Sequence, residues 1–209
     1  MTLRRLPMCA DLINKNFSDY TLLDIGCRTM ALKPLLNNCK EYYGADLVPG
    51  ENIYQCNLEE GLNFQDKSFD VVVALDVLEH LEHAHLVLKE MQRVARKAAI
   101  ISLPNMYYWK FRLNFLMGKG LGGKYAFSAD PILDRHRWVL SFTEAVKFIE
   151  KNANGNVETK KIIVERGRTK YILEPLETKL GEICPDLFAY GSLFMIRLDG
   201  EQPASSIAA

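Results

Sequence analysis

The chain has 209 residues, 48% of them hydrophobic and 25% charged, the balance expected of one globular domain with a full core. Lys plus Arg and Asp plus Glu stand at 26 each. That excludes the strongly basic composition of a chain built to wrap nucleic acid or coat an anionic membrane.

The elements alternate. "TLLDI" (21–25) is a continuous apolar run, the pattern of a strand buried on both faces. "ALKPLLNN" (31–38) predicts a short helix with Pro34 in its first turn. "YYGAD" (42–46) and the weaker "NIYQC" (52–56) predict two more strands. "FDVVVALD" (69–76) is the strongest strand in the chain, β-branched and apolar throughout. "HLVLKEMQRVARK" (85–97) carries Leu86, Val87, Met91 and Val94 at helical spacing. "AAIISLP" (98–104) is a fifth strand, stopped by Pro104. "SFTEAVKFIEKN" (141–152) predicts a helix, with Ser141 and Glu144 placed for a capping box. "VETKKIIVERG" (157–167) and "FAYGSLFMIRL" (188–198) predict two last strands, an antiparallel pair, around a short helix in "PLETKLGEI" (175–183). Residues 200–209 are small, polar and aperiodic, the signature of a disordered tail. Strands alternating with helices predict an α/β domain spanning 1–199, with a mostly parallel sheet whose ligands bind outside the carboxyl ends of its strands.

Five cysteines, at 9, 27, 39, 56 and 184, form no CxxC pair. Zinc is therefore not expected, and scattered free thiols fit a reducing compartment. Arg4 and Arg5 are not followed by an apolar run of signal length, and no segment is long and apolar enough for a membrane span. The expected location is cytoplasmic.

Chemistry concentrates at predicted strand ends. "DIGC" sets Asp24, Gly26 and Cys27 at a strand-to-helix turn, where glycine lets the backbone approach a ligand and a helix start favours an anion. A lone glycine turn also serves as a plain connection. Asp46 ends the second strand, 22 residues after Asp24, where an acid can accept from both ribose hydroxyls. Nicotinamide enzymes share that feature, but the GxGxxG spacing is missing.

The run "CNLEEGLNFQDKSFDVVVALDVLEHLEH" resembles the class I S-adenosylmethionine-dependent methyltransferases, notably the type-11 group. "VLKEMQRVARKAAIISLPNMYYWKFRLNFLMG" resembles their MetW-like branch. The resemblance implies a Rossmann-like sandwich, a seven-stranded sheet with an antiparallel C-terminal strand, and S-adenosylmethionine as cofactor. It implies that Asp46 and Leu47 hold the ribose, Asn57 and Leu58 the adenine, and Gly26, Cys27, Asp76 and Val77 the methionine end. The family's glycine pattern is interrupted by Arg28 and Met30. Arg28 is expected to face the cofactor carboxylate or solvent, and Met30 to pack under the sheet or crowd the cofactor.

Two functions follow from the resemblance. One is methyl transfer to a small-molecule acceptor, with anionic acceptors among the candidates. The other is a non-catalytic partner subunit of a biosynthetic acyltransferase; a homodimer is a further candidate assembly. An acceptor that must lose a proton needs a base, for which His80 and His136 are the candidates, with capping or packing as the alternative for His80. Three of the four histidines, His80, His83 and His85, lie in one short segment with poor facing geometry, and no metal is expected. Residues 105–137 mix aromatics with cations, and a helix followed by a glycine-rich loop there has the composition of a lid. Tyr107, Trp109 and Arg112 are its candidate acceptor contacts, with plain core packing the competing reading. The Pro-Pro-aromatic signature of nucleic-acid amino methylases is absent, and no nucleic-acid partner is expected.

Overall fold

The structure is a computed structural model, and residues 5–121, 123–125, 135–162 and 170–198 are described. Seven strands form one sheet: β1 (Tyr20–Ile25), β2 (Cys39–Asp46), β3 (Ile53–Gln55), β4 (Phe69–Leu75), β5 (Ala95–Pro104), β6 (Asn156–Ile162) and β7 (Gly191–Arg197). Their order is β3-β2-β1-β4-β5-β7-β6. The first five pair in parallel, while β7 runs antiparallel to both β5 and β6. The two last strands thus are the antiparallel pair expected, with β7 lying between β5 and β6.

The centre of the sheet is apolar because both faces are covered. One face carries α2 (Ala84–Val94) and α4 (Phe142–Asn152), which pack Val87, Leu88, Met91, Ala145 and Ile149 onto Leu23, Val72, Ala99 and Ile101. The other carries α1 (Arg5–Asn16), which packs Cys9, Leu12 and Ile13 onto Leu22, Val71, Val73 and Ile100. Ser141 closes the start of α4 with the expected capping box to Glu144. Three further helices complete the described elements: α3 (Trp109–Leu116) after β5, and α5 (Lys170–Ile183) and α6 (Pro185–Phe188) after β6. No helix among the described residues is long and apolar enough to cross a membrane.

The expected helix over 31–38 is not formed. Only a single 3₁₀ turn, Lys33–Leu35, stands there. Arg28 and Met30 take left-handed φ values of 47° and 52°, which no helix propagates. Pro34 lacks an N–H, and Asn38 must already turn, at φ 54°, into β2. The Asn14 side chain of α1 ties this segment down, donating to the Leu35 carbonyl and accepting from the Asn37 N–H. The face such a helix would cover is covered by α1, to which the sequence reading assigned no element. Residues 163–167 of the predicted sixth strand, residues 122 and 126–134 of the segment expected to form a lid, and the predicted tail lie outside the described residues.

Candidate cofactor and acceptor site

The parallel strands bring their carboxyl ends to one edge, and the predicted cofactor residues stand along it. The turn after β1 is bonded to the end of β2: the Gly26 N–H donates to the Ala45 carbonyl at 2.7 Å, and the Arg28 N–H donates to Asp46 Oδ2 at 2.8 Å. The Val48 N–H donates to Asp46 Oδ1 at 3.0 Å. Asp46 is therefore oriented by two backbone donors. A carboxylate has about four acceptor positions, so about two remain. Leu47 beside it is exposed.

Gly26 is required here for two reasons. Its φ is 68°, and a Cβ would lie 2.5 Å from Val77 Cγ2. The valine after β4 thus packs directly on the glycine after β1. Met30 goes under the sheet: its Cγ and Sδ, with Cys27 Sγ, fill the space where Gly44 lacks a side chain. Gly44 is in register with Asp24, so this is the α1 face. Asp24 points to that face too and accepts a short hydrogen bond from Tyr42. Burial pushes the Asp24 carboxyl up to about 7; the Tyr42 bond opposes the rise and Asp46 adds to it. Burial, with Asp24 and Asp46, holds the Cys27 thiol at about 12, so it is no thiolate nucleophile.

Asn57 begins a 3₁₀ turn, Leu58–Glu60. Its Oδ1 accepts from the Glu59 N–H and its Nδ2 donates to Glu60, while Leu58 is buried. Asn57, Tyr54, Gln55, Cys56, Gly61 and Leu62 border a cleft of about 450 Å³. Gly26, Asp46 and Asp76 do not line it.

Asp76 follows β4 in a left-handed conformation, φ 54°. Its N–H donates to Ser102 Oγ at 2.9 Å, and that hydroxyl donates to Asp76 Oδ1 at 2.5 Å. Arg5, at the start of α1, forms an ion pair with Asp76 Oδ2. Burial lowers the Arg5 pKa; Glu79 and Tyr190 work against that, and Arg28 adds to it. Arg5 was missed as a site residue. The helical spacing of Leu6, Cys9, Ala10 and Ile13 was the signal that would have placed it at the foot of a helix.

His80 and His136, 56 residues apart in sequence, meet edge to face with ring centroids 4.4 Å apart. The backbone brings them together: the Arg137 and Trp138 N–H groups both donate to the Glu79 carbonyl, and the Trp138 indole donates to the Leu81 carbonyl. The Glu79 side chain is wholly buried beneath them, its Oε1 4.0 Å from His80 Nε2 and 3.8 Å from His136 Nε2. Glu79 was also missed, although "LEHLEH" displays it beside His80. His83 and His85 lie elsewhere, on Glu59 and Phe148.

The residues offered as acceptor contacts, Tyr107, Trp109 and Arg112, bond within the protein. The Trp109 indole and the Tyr108 hydroxyl both donate to Glu177 Oε1 of α5, at 2.9 and 2.8 Å. Arg112 donates to the Tyr107 carbonyl at 2.6 Å, with its guanidinium 5.5 Å from the Tyr107 ring. Tyr107 remains partly exposed.

Strand order 3-2-1-4-5-7-6, with the seventh strand reversed, and a carboxyl edge built from a glycine turn and two acids define the Rossmann-like fold of class I S-adenosylmethionine-dependent methyltransferases. Solved structures share it. Small RNA methyltransferase HEN1 matches with a TM-score of 0.64 at 16% identity, over 96% of this chain and 26% of its own, so this chain spans about a quarter of it. A methyltransferase from Thermotoga maritima gives 0.60 at 13% identity, over 93% and 87% of the two chains. One from Archaeoglobus fulgidus gives 0.57 at 16%, over 91% of each. Within that class the family is specific: the family described as methionine biosynthesis protein MetW matches residues 11–184, and the chain belongs to it. No curated protein matches the chain.

Proposed function

We propose that this protein binds S-adenosylmethionine along the carboxyl ends of β1, β2 and β4 and transfers its methyl group to a small-molecule acceptor. The observation that carries this reading is Asp46. It closes β2 with its carboxylate fixed by the Arg28 and Val48 N–H groups, and about two acceptor positions stay available for two ribose hydroxyls. Leu47, Asn57 and Leu58 border the adenine side. At the other end Arg5 and Asp76 set a cation against an anion, the complement of an amino-acid zwitterion, next to Gly26, Cys27, Arg28 and Val77. The residues present therefore fit the cofactor.

When bound, the cofactor supplies a methyl group on a sulfonium that is its own leaving group. The chain's share is placement and exclusion of water. His80 and His136 stand at the acceptor end as the groups able to receive a proton, and Tyr107, Trp109 and Arg112 belong to the lid above it. Five unpaired cysteines support a cytoplasmic setting.

The second reading, a non-catalytic partner subunit of an acyltransferase, is favoured by one observation: the turn after β1 leads into a 3₁₀ turn rather than a helix whose dipole would face the cofactor. Calorimetry with S-adenosylmethionine tests both. Binding that weakens by about 1–3 kcal/mol in Asp46→Ala, together with release of S-adenosylhomocysteine from a metabolite screen, supports the enzyme. Binding without turnover, with an acyltransferase retained in pull-down, supports the subunit. Absence of binding overturns the cofactor site.

A further inference from the structure

We infer that Glu79, His80 and His136 form a binding site for a divalent first-row transition-metal ion. One atom from each residue lies within 4.8 Å of the others. The hydrogen bonds of the rings decide which atoms converge. His80 Nδ1 lies 3.0 Å from the Arg135 carbonyl, which only accepts, so Nδ1 carries the proton and Nε2 the lone pair. His136 Nδ1 lies 2.7 Å from the Tyr125 hydroxyl, and that hydroxyl already donates to the Trp138 carbonyl at 2.8 Å. Nδ1 of His136 is thus the donor as well. Both rings present Nε2 to the buried carboxylate of Glu79, each fixed from behind by an outer oxygen, the support that metal-ligating histidines ordinarily have.

Two imidazoles and one carboxylate suit zinc, iron, cobalt or manganese better than magnesium or calcium, which favour all-oxygen shells. Ligands at about 2.1 Å from a tetrahedral ion stand about 3.4 Å apart, so the present separations close with side-chain shifts of roughly an ångström. One group competes. Lys124 Nζ lies 3.3 Å from His80 Nε2 and holds the lone pair the ion needs; the ion enters by displacing it. Three protein ligands leave a position open. Resting on the methyl-transfer reading, that position would take an oxygen of the acceptor and lower its pKa, so that the two histidines act as ligands rather than as bases. Glu79 follows Asp76 by three residues, which sets the ion beside the methionine end of the cofactor site.

The test uses tag-free, chelator-stripped protein titrated with Zn²⁺ by calorimetry and with Co²⁺ by visible absorption. The expected result is one ion per chain, with Co²⁺ giving a tetrahedral or five-coordinate spectrum. His80→Ala and His136→Ala should each weaken binding by more than the roughly 10–100-fold cost of an outer partner. Tyr125→Phe, which removes only the oxygen behind His136, should cost about tenfold. Lys124→Gln should bind more tightly than wild type, which a merely structural role for the lysine would not produce. His83→Ala should be unchanged. Absence of stoichiometric binding, or binding indifferent to His80→Ala, His136→Ala and Tyr125→Phe alike, overturns the site. Neither outcome depends on S-adenosylmethionine, whose binding is measured separately, so the failure of one reading leaves the other standing.

Discussion

The two edges of the sheet use charge in opposite ways. At the amino edge Asp70, which opens β4, accepts from the Thr21 N–H at 3.0 Å and from Arg96 at 3.0 Å, with Lys97 at 3.5 Å. Burial works against its charge, yet those donors together hold its pKa below the usual carboxylate range. Nearby, Arg93 binds Glu90, Asp66 and the carbonyls of Leu62 and Phe64, and Glu90 is likewise held low, mainly by Arg93. These charges are committed to closing the structure. At the carboxyl edge burial prevails: it raises Asp24 and Cys27 and lowers Arg5. The carboxyl of Asp24 and the guanidinium of Arg5, both pushed toward their neutral forms, lie where the proposed site lies, whereas at the amino edge burial raises Tyr20 and Cys39, groups that are neutral already. A fold stabilised at one end by satisfied charges can hold poorly satisfied ones at the other.

The sharpest way to break that contrast is at Gly26. Gly26→Ala forces a side chain into a left-handed conformation, which costs about 1–2 kcal/mol, and drives its Cβ into Val77, an overpacking cost of about 1–3 kcal/mol. Denaturant unfolding should show a loss of roughly 2–5 kcal/mol in total. Adding Val77→Ala should recover the packing share and leave the backbone share. A loss below about 1 kcal/mol would mean that the turn after β1 relaxes freely and is not a fixed lip of the site.

The amino edge supplies the counter-experiment. Asp70→Ala strands the half-buried Thr21 N–H and both cations, and unfolding should show a loss of about 1–3 kcal/mol with S-adenosylmethionine affinity unchanged. Asp46→Ala should weaken S-adenosylmethionine binding, and any stability it loses by stranding the Arg28 and Val48 N–H groups is read separately. If Asp70→Ala also weakens cofactor binding, the two edges are coupled through β4 and the division of labour fails.

The strands were readable because burial on both faces leaves unbroken apolar runs, and β4 is the clearest of them. The capping box at Ser141 was readable because its two bonds are local. Asp46 was readable because a strand end fixes where its carboxylate must go. What stayed hidden depends on distance or on competing local terms. The segment 31–38 has helical composition, but two left-handed residues and Pro34 deny it a nucleus. Arg5 meets Asp76, and His136 meets His80 and Glu79, only after the chain has folded; no spacing rule spans 56 or 71 residues. The histidines were judged by their crowding in one segment, whereas the cluster draws one from that segment and one from the far side of the lid.

The subtlest test concerns Asp24, because its effect depends on pH. Its carboxyl is raised by burial to about 7 in the folded protein, from an ordinary value of 3.8. Between those values the folded chain holds a proton that the unfolded chain has released, so stability falls as pH rises through that window, and the loss is complete above about 7. Asp24→Asn keeps an acceptor for the Tyr42 hydroxyl and cannot ionise. At pH 5 the variant should lie within about 1 kcal/mol of wild type. Between pH 5 and 8 it should become progressively the more stable of the two, as read by denaturant unfolding across the series. Asp70 should behave oppositely: its depressed pKa gives stability that is present at neutral pH and is lost only as pH falls into the acid range. Parallel pH curves for wild type and Asp24→Asn would show that Asp24 stays ionised throughout, and the carboxyl edge would then be as well satisfied in charge as the amino edge.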